Sequence, residues 1–193
     1  MSAPLPAYDG LVLAGGRARR MAGIDKPALV VGGRRLLDVA LEALEEAANR
    51  FVVAGTADLP PGVVLVSEDP PGGGPVAAIA AGLARVTAPI CVVLAADLPF
   101  VARAHVEQLV AAVAGSAALA VDADGRDQPL LAAYDSAALR RALPPAPQGA
   151  SMRELLAVLG DPRRVTLSGD PAPWLDCDTG EDLDRARALQ DGA

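Results

Sequence analysis

The only lysine of this 193-residue chain, Lys26, ends a short segment that begins with the glycine pair Gly15-Gly16. All other basic residues are arginines, and three of them lie within the same segment. A single lysine in an arginine-rich chain indicates a position that needs a compact point charge rather than a planar guanidinium. Because glycine lets main-chain amides approach an anion, the segment predicts a loop that binds phosphate or a nucleotide. The alternative is that Lys26 is an ordinary surface lysine.

A second candidate, Asp97, follows the apolar run at residues 91–96 and precedes Pro99. A carboxylate at the carboxyl end of a buried strand points into the crevice where open α/β sheets bind ligands. Mg²⁺ bound by one or two carboxylates and by substrate phosphates suits such a position. The alternative is that Asp97 only caps the helix that follows. The glycine loop and Lys26 favour the metal, because phosphoryl chemistry combines these charges.

Other nucleotide-binding motifs fit less well. The glycine pair is not followed by the Gly-Lys-Ser/Thr of a phosphate-binding P-loop, and its spacing does not match a dinucleotide fingerprint. Residues 72–77 satisfy G-x-G-x-x-A, but residues 67–71, which include two prolines, separate these glycines from the preceding apolar run. The fingerprint requires its tight turn directly after the strand. We therefore interpret residues 68–75 as a loop that ends with Pro75 in the first turn of a helix.

Five short apolar runs without alternation are typical of strands that are covered on both faces. They lie at residues 9–14, 51–54, 63–66, 90–95 and 118–121. Helical spacing of apolar residues predicts helices at residues 36–47, 75–86 and 104–114. Alternating strands and helices predict an α/β fold of three layers, with a doubly wound and mostly parallel sheet.

The last third of the chain differs in pattern. Residues 125–134 predict a strand entered through a turn, and Ser151 with Glu154 forms a capping box that opens a helix. Thr179 with Asp182 opens the last helix in the same way. The proline-rich stretch at residues 143–148 is interpreted as a loop, because too little chain follows it for a second core. We expect residues 1–193 to form one domain.

Composition excludes several classes of protein. The formal net charge of −7 argues against a nucleic-acid-binding protein. Cys91 and Cys177 are far apart and lack zinc-ligand spacing, so neither a disulfide framework nor a zinc site is predicted. The first apolar stretch is too short for a signal or membrane segment. We therefore expect a cytoplasmic protein that does not associate with membranes.

At these positions the chain resembles the MobA-like nucleotidyltransferases, and among them the molybdenum cofactor guanylyltransferases. That family opens with a strand followed by L-A-G-G-x-x-x-R-M-G-G-x-D-K. Residues 13–26 match this motif in order and spacing, except that Ala22 replaces a glycine. The resemblance continues at Asp69, Gly74-Pro75 and residues 97–100, and more weakly at residues 126–129 and 176–179. It covers nearly the whole chain and implies a Rossmann-like nucleotidyltransferase fold.

The resemblance implies transfer of GMP from GTP to the phosphate of a molybdopterin-type acceptor, with release of pyrophosphate. The N-terminal half would bind the nucleotide and the C-terminal third the acceptor, and molybdoenzyme maturation proteins are suggested as partners. The implied catalytic residues are Arg20, Lys26 and Asp97, and the implied Mg²⁺ ligands are Asp97 and Asp178. The implied nucleotide-binding residues are Leu13, Ala14, Gly15, Gly16, Arg20, Lys26, Asp69, Gly74 and Asp97, with Asp69 assigned to guanosine.

Rival functions remain at this point. One is a sister transferase with another base or acceptor, such as a molybdopterin cytidylyltransferase or a phospholactate guanylyltransferase. The glycine pair and Asp25 favour the guanylyl branch, because cytidylyl relatives more often show Ala-Ala-Gly and lack that aspartate. The other rival is a non-catalytic nucleotide-binding module, which the presence of Lys26 and Asp97 disfavours.

Four further residues are weaker candidates. His105 is the only histidine, so a general base or a ligand cluster is not predicted. Ser151 and Cys91 have no base partner for nucleophilic catalysis. Trp174 is interpreted as core packing, with an aromatic platform for a pterin ring as the alternative.

Overall fold

The computed structural model describes residues 4–15, 20–21, 24–25, 28–54 and 57–192. The strands in chain order are β1 (Tyr8–Leu13), β2 (Arg20–Met21), β3 (Ile24–Asp25), β4 (Val30–Val31), β5 (Arg34–Arg35), β6 (Arg50–Val53), β7 (Val63–Val66), β8 (Ile90–Ala95), β9 (Ala117–Val121), β10 (Asp127–Asp135) and β11 (Arg163–Thr166). The helices are α1 (Leu36–Ala43), α2 (Pro75–Leu83), α3 (Arg103–Ala112), α4 (Ser136–Ala142), α5 (Met152–Leu159) and α6 (Gly180–Asp191).

Seven of these strands form one sheet in the order β11-β9-β10-β8-β1-β6-β7. All neighbours are parallel except β10, which runs antiparallel to both β8 and β9. The chain winds outward from β1 through β6 to β7 and then returns to the other side of β1 with β8. This reversal of strand order next to β1 creates a crevice at the carboxyl ends of β1 and β8. The predicted mostly parallel α/β fold is confirmed.

Helices cover both faces of the sheet, which explains why its central strands are mostly apolar. All six residues of β1 and all five of β9 are buried. One core cluster joins one face of the sheet to α1 and α3, and a second joins the other face to α2, α4 and α5. The predicted three-layer arrangement is therefore present.

Helix α2 packs unusually close to β1, because its residue Gly82 has no side chain. A Cβ added at Gly82 would overlap the buried side chain of Leu11. The close approach sets the position of the whole helix, including its first residue, Pro75, at the carboxyl edge of the sheet.

A third cluster attaches the C-terminal helix to the body of the protein. It joins α6 to the β4–β5 hairpin and includes Cys177 just before the helix. The predicted capping boxes are both present. Ser151 Oγ accepts a hydrogen bond from Glu154 N at the start of α5, and Thr179 Oγ1 accepts one from Asp182 N at the start of α6.

Besides the two-residue strands β2 to β5, two elements were not predicted from the sequence, α4 and β11. Helix α4 follows β10 without a loop, and the carboxylate of Asp135 caps it by accepting a hydrogen bond from Ala138 N at 2.7 Å. Strand β11 pairs with β9 at the sheet edge, where three of its four residues are exposed. An exposed edge strand carries little apolar pattern, so the residue sequence alone did not reveal it.

The carboxylate of Asp9 is fully buried at the start of β1. It accepts hydrogen bonds from Thr87 N at 2.7 Å, Ala88 N at 3.0 Å and Asn49 Nδ2 at 2.9 Å. Burial alone would raise the pKa of this carboxyl, but the hydrogen bonds outweigh burial and hold the pKa below its ordinary value. These bonds fix β1 against the segment that leads into β8. The crevice lies at the carboxyl ends of these two strands.

We expect Asp9→Asn to lower the free energy of unfolding by about 2 kcal/mol at neutral pH. The amide nitrogen of the asparagine would place a hydrogen-bond donor against N–H groups that now donate to the carboxylate. Since the pKa of Asp9 is lower in the folded state, the carboxylate stabilises the fold above about pH 4, its ordinary pKa. That contribution is lost as the pH falls through the folded-state pKa. Urea unfolding of both proteins between about pH 7 and pH 3 measures the effect. A difference between the two proteins that stays constant over this range would contradict the assignment.

Candidate active site

The carboxyl ends of β1 and β8 bring two predicted site segments to one edge of the sheet. Ala96 N donates a hydrogen bond to Leu13 O at 3.1 Å, which extends the pairing of the two strands by one step. Gly15 lies two residues beyond the end of β1, and Asp97 lies two residues beyond the end of β8. Main-chain groups of the glycine segment and the Asp97 carboxylate therefore face the same crevice, as predicted for the end of a parallel sheet.

A cavity of about 840 Å³, named here the glycine cavity, occupies this crevice. Its walls come from the end of β1, the loop after β7, the start of α2, the end of β8 and the loop before α5. The lining residues are Leu13, Gly15, Glu68, Pro70, Pro71, Gly72, Gly73, Gly74, Pro75, Ala78, Ala95, Asp97, Leu130, Gln148, Gly149 and Ala150.

The glycine turn before α2 depends on two glycines for different reasons. Gly74 has φ +93° and is the N-cap of α2, with Pro75 in the first turn as predicted. A Cβ on Gly73 would lie 2.6 Å from Ala77 Cβ, so only glycine fits there without a shift. The carbonyl of Gly73 accepts a hydrogen bond from Gly149 N at 2.7 Å, which joins the turn to the proline-rich loop.

The two acids after β7 differ in position. Glu68 lines the glycine cavity and is partly buried, whereas Asp69, the residue assigned to guanosine by resemblance, is exposed and does not belong to the lining. Glu68 Oε2 accepts a hydrogen bond from Gly73 N at 2.8 Å. Glu68 was not predicted, since the sequence offers no signal that separates two adjacent acids after a strand.

A second cavity of about 290 Å³, named here the tryptophan cavity, adjoins the first. The two share Ala95, Asp97 and Leu130 in their linings. The rest of the lining of the tryptophan cavity consists of Leu98, Gln128, Pro129, Leu131, Met152, Trp174, Asp176 and Asp178. Asp97 therefore stands where a ligand in one cavity would meet a ligand in the other.

The segment before α6 is joined to the junction of the two cavities by a hydrogen bond to Asp97. Cys177 N donates a hydrogen bond to the backbone carbonyl of Asp97 at 3.1 Å, and the Cys177 side chain is fully buried in the third cluster. Its neighbours Asp176 and Asp178 are exposed and both line the tryptophan cavity. The structure thus brings Asp178, the predicted second metal ligand, to the same cavity as Asp97.

The capping alternative for Asp97 does not hold for α3. The N-cap of α3 is Ala102, five residues later, and its N–H donates to His105 Nδ1 at 3.1 Å. Asp97 is partly buried between the two cavities. Within the described residues, no group of three or more His, Cys, Asp or Glu side chains is arranged to hold a metal.

The weaker candidates have structural roles. His105 is buried and pairs through Nε2 with the Ser168 carbonyl at 2.9 Å, so it joins α3 to the loop after β11. Burial, assisted by the charge of Asp9, raises the pKa of the Cys91 thiol to about 12, which keeps it protonated. Trp174 packs against the core cluster with α1 and α3 and also lines the tryptophan cavity. Trp174 therefore contacts the core and also borders a cavity.

Charge is unevenly distributed around the crevice. Among the described lining residues of the two cavities there are four carboxylates and no arginine or lysine. In the sequence, Arg17, Arg19, Arg20 and Lys26 follow Gly15. Gly16 and Lys26 lie outside the described residues, and of Arg20 the structure describes the backbone, which pairs with that of Asp25.

In the described part of the chain, none of the helices combines the length and the apolar character of a membrane-spanning segment.

Comparison with known proteins gives consistent matches. Residues 10–165 match the family model described as the MobA-like NTP transferase domain. A molybdenum cofactor guanylyltransferase from Cereibacter sphaeroides is 33% identical over 203 aligned positions, which cover 93% of this chain and 95% of the relative. The enzyme of the same name from Bradyrhizobium sp. (strain ORS 278) is 39% identical over 135 residues, 64% of each chain.

A solved structure also shares the fold. The 2-C-methyl-D-erythritol 4-phosphate cytidylyltransferase of Thermus thermophilus superposes with a TM-score of 0.71 at 24% identity, over 96% of this chain and 99% of that chain. At this level of identity the likeness concerns the fold alone.

Proposed function

The chain belongs to the MobA-like NTP transferase family and is a nucleotidyltransferase, and from that premise we propose that it transfers GMP from GTP to the phosphate of a molybdopterin-type acceptor. The observation that carries the proposal is the junction of two cavities at Asp97. A nucleotidyl transfer needs one site for each substrate and a shared point where the reacting phosphates meet. The names of the curated relatives support the choice of guanylyl transfer to molybdenum cofactor.

In this proposal the glycine cavity holds GTP. The main chain of residues 13–16 and the turn at Gly74 approach the nucleotide, because residues without bulky side chains let ligand atoms reach backbone amides. Arg20 and Lys26, from the segment that continues after Gly15, bind the phosphates. The cavity volume of about 840 Å³ is within the usual range for a ligand of nucleotide size.

The tryptophan cavity holds the acceptor. Trp174 offers an aromatic face to a bicyclic heteroaromatic ring, and ring stacking of this kind is favourable. Asp176 and Asp178 carry acceptor oxygens, which suit the ring N–H and amino groups of a pterin. An acceptor held there would direct its phosphate toward Asp97 and the glycine cavity.

The chemistry requires no protein nucleophile. An oxygen of the acceptor phosphate attacks the α-phosphorus of GTP in line, the new P–O bond forms, and the bond to the pyrophosphate leaving group breaks. The chain contributes by placing two anions close together and by neutralising their charge with Lys26 and Arg20. The buried, protonated Cys91 thiol takes no part.

Mg²⁺ fits the residues present. It is commonly bound by one or two carboxylates together with substrate phosphates and water, and Asp97 presents such a carboxylate at the junction of the cavities, with Asp178 on the same lining. When bound there, Mg²⁺ would neutralise negative charge on the nucleotide phosphates.

The test of the proposal is a nucleotide panel. We expect GTP with Mg²⁺ to raise the melting temperature more than CTP, UTP or ATP. At equal concentration, the ligand with the lowest dissociation constant stabilises the folded state most. With molybdopterin as acceptor, pyrophosphate release should be fastest with GTP. Equal or larger stabilisation and turnover with CTP would assign the chain to the cytidylyl branch. Binding of GTP without pyrophosphate release from any acceptor tried would favour a non-catalytic module.

A further inference from the structure

Two neighbouring acids, Glu68 and Asp69, follow β7 beside the glycine cavity. Glu68 is a partly buried acid on the lining of the glycine cavity, whereas its neighbour Asp69 is exposed and off the lining. No arginine or lysine in the described residues neutralises Glu68. A carboxylate on a cavity wall can accept hydrogen bonds from a ligand that enters the cavity.

The position of the Glu68 carboxylate is fixed on two sides. Its Oε2 accepts the hydrogen bond from Gly73 N at 2.8 Å, which anchors it to the glycine turn. Its Oε1 lies 3.5 Å from the point that a Cβ on Gly15 would occupy, so it borders the segment after β1. The bond to Gly73 uses one of about four acceptor positions of a carboxylate, which leaves Oε1 and the second lone pair of Oε2.

Guanine has an edge that matches such a group. Its N1–H and its 2-amino group donate side by side, and a carboxylate can accept both bonds in parallel. Adenine, cytosine and uracil do not offer this pair of adjacent donors. A site built to accept a specific donor discriminates strongly against an analogue that lacks the donor, because its polar group is left without a partner.

We propose that Glu68, rather than Asp69, selects guanine by accepting hydrogen bonds from the N1–H and 2-amino groups of the base. This inference rests on the proposed function, in which the glycine cavity holds GTP. It makes Glu68 a specificity-determining residue, and the hydrogen bond from Gly73 N orients its carboxylate.

The experiment compares GTP with ITP, which lacks only the 2-amino group. Dissociation constants with Mg²⁺ are measured by calorimetry for the wild type, Glu68→Gln and Asp69→Asn. We expect the wild type to bind GTP about 10-fold or more tightly than ITP, since a hydrogen bond to a charged group has this magnitude. In Glu68→Gln the ratio should fall to within about threefold of unity, because the glutamine amide presents a donor to N1–H. Asp69→Asn should keep the wild-type ratio.

Three outcomes would overturn the inference. Equal weakening of GTP and ITP in Glu68→Gln, with the ratio unchanged, would show that Glu68 only anchors the glycine turn. Loss of the ratio in Asp69→Asn would make Asp69 the selecting residue. Equal affinity of the wild type for GTP and ITP would exclude a contact with the 2-amino group, and this result does not depend on the folding of any variant. Wild-type binding of CTP as tight as that of GTP would instead refute the proposed function itself.

Discussion

Replacing Asp97 by asparagine is expected to abolish Mg²⁺-dependent turnover and to leave the fold intact. Asparagine keeps the size of the side chain and removes the charge that a divalent cation requires. A metal ion supplies several kcal/mol of charge stabilisation in phosphoryl chemistry, so we expect a loss of at least about 10³-fold in kcat, or about 4 kcal/mol. Steady-state pyrophosphate release across a range of Mg²⁺ concentrations measures the effect.

The structure explains why the same change should be tolerated by the fold. The hydrogen bond from Cys177 N is accepted by the backbone carbonyl of Asp97, which the substitution does not alter. The N-cap of α3 is Ala102, so no helix cap is lost. Asp161→Asn, which removes a carboxylate that is 95% exposed beyond α5, is the matched control and should retain wild-type turnover and melting temperature. Retained activity with unchanged Mg²⁺ dependence in Asp97→Asn would leave Asp97 without a metal role.

The sequence predicts the centre of this fold well, because a strand covered on both faces consists mostly of apolar residues. Strands β7 and β8 begin and end at the predicted residues, and β1, β6 and β9 differ by one residue at one or both ends. The helices are less well delimited. Helices α1 and α2 end three or four residues before the apolar pattern does. Residues 44–46 and 84–85 form turns, while Leu44 and Val86 still contribute side chains to the core.

Elements without an apolar pattern were missed for physical reasons. Strand β11 has the sequence Arg-Arg-Val-Thr and is held by pairing with β9 rather than by burial of its own side chains. Helix α4 begins immediately after β10, so no loop marks the change from strand to helix. Its cap, Asp135, is also the last residue of the strand, and the two roles overlap in the sequence.

The candidate site was predictable where it depends on strand ends and turns. Leu13, Gly15, Gly74 and Asp97 line the glycine cavity, and Asp178 shares the tryptophan cavity with Asp97. Contributions from distant loops were not predictable. Residues 148–150, from the proline-rich loop, reach the glycine cavity through the hydrogen bond between Gly149 and Gly73. That contact depends on how α4 and α5 pack, and no local pattern encodes it.

The charge of the cavity walls determines how much depends on the glycine segment. All charged side chains among the described lining residues are acids, and they would repel a triphosphate unless cations oppose them. The segment after Gly15 contains Arg17, Arg19, Arg20 and Lys26. Lys26 directly follows Asp25, whose backbone pairs with that of Arg20. If a cation of this segment were removed, no lysine or arginine of the described cavity walls could replace it.

Lys26→Ala is therefore expected to lower kcat/KM for GTP by about 10²-fold or more, and Lys26→Arg should recover little of the loss. A cation that opposes a transferring phosphoryl group acts through its placement as well as its sign. The ammonium group is a compact point charge, whereas the guanidinium is a wider planar fork, and the chain uses arginine at every other basic position. Initial rates of pyrophosphate release at varied GTP concentrations separate the effect on kcat from that on KM.

The control for charge alone is Arg85→Ala, which removes an exposed cation just beyond the far end of α2 from the glycine cavity. It changes the net charge by the same amount, so a general effect of charge on attraction of the nucleotide would appear in both alanine variants and would weaken with added salt. A specific contact of Lys26 with the phosphates predicts a loss in Lys26→Ala that persists at high salt and is absent from Arg85→Ala. If arginine at position 26 restores a near wild-type rate, the position requires only positive charge, and the argument from the single lysine fails.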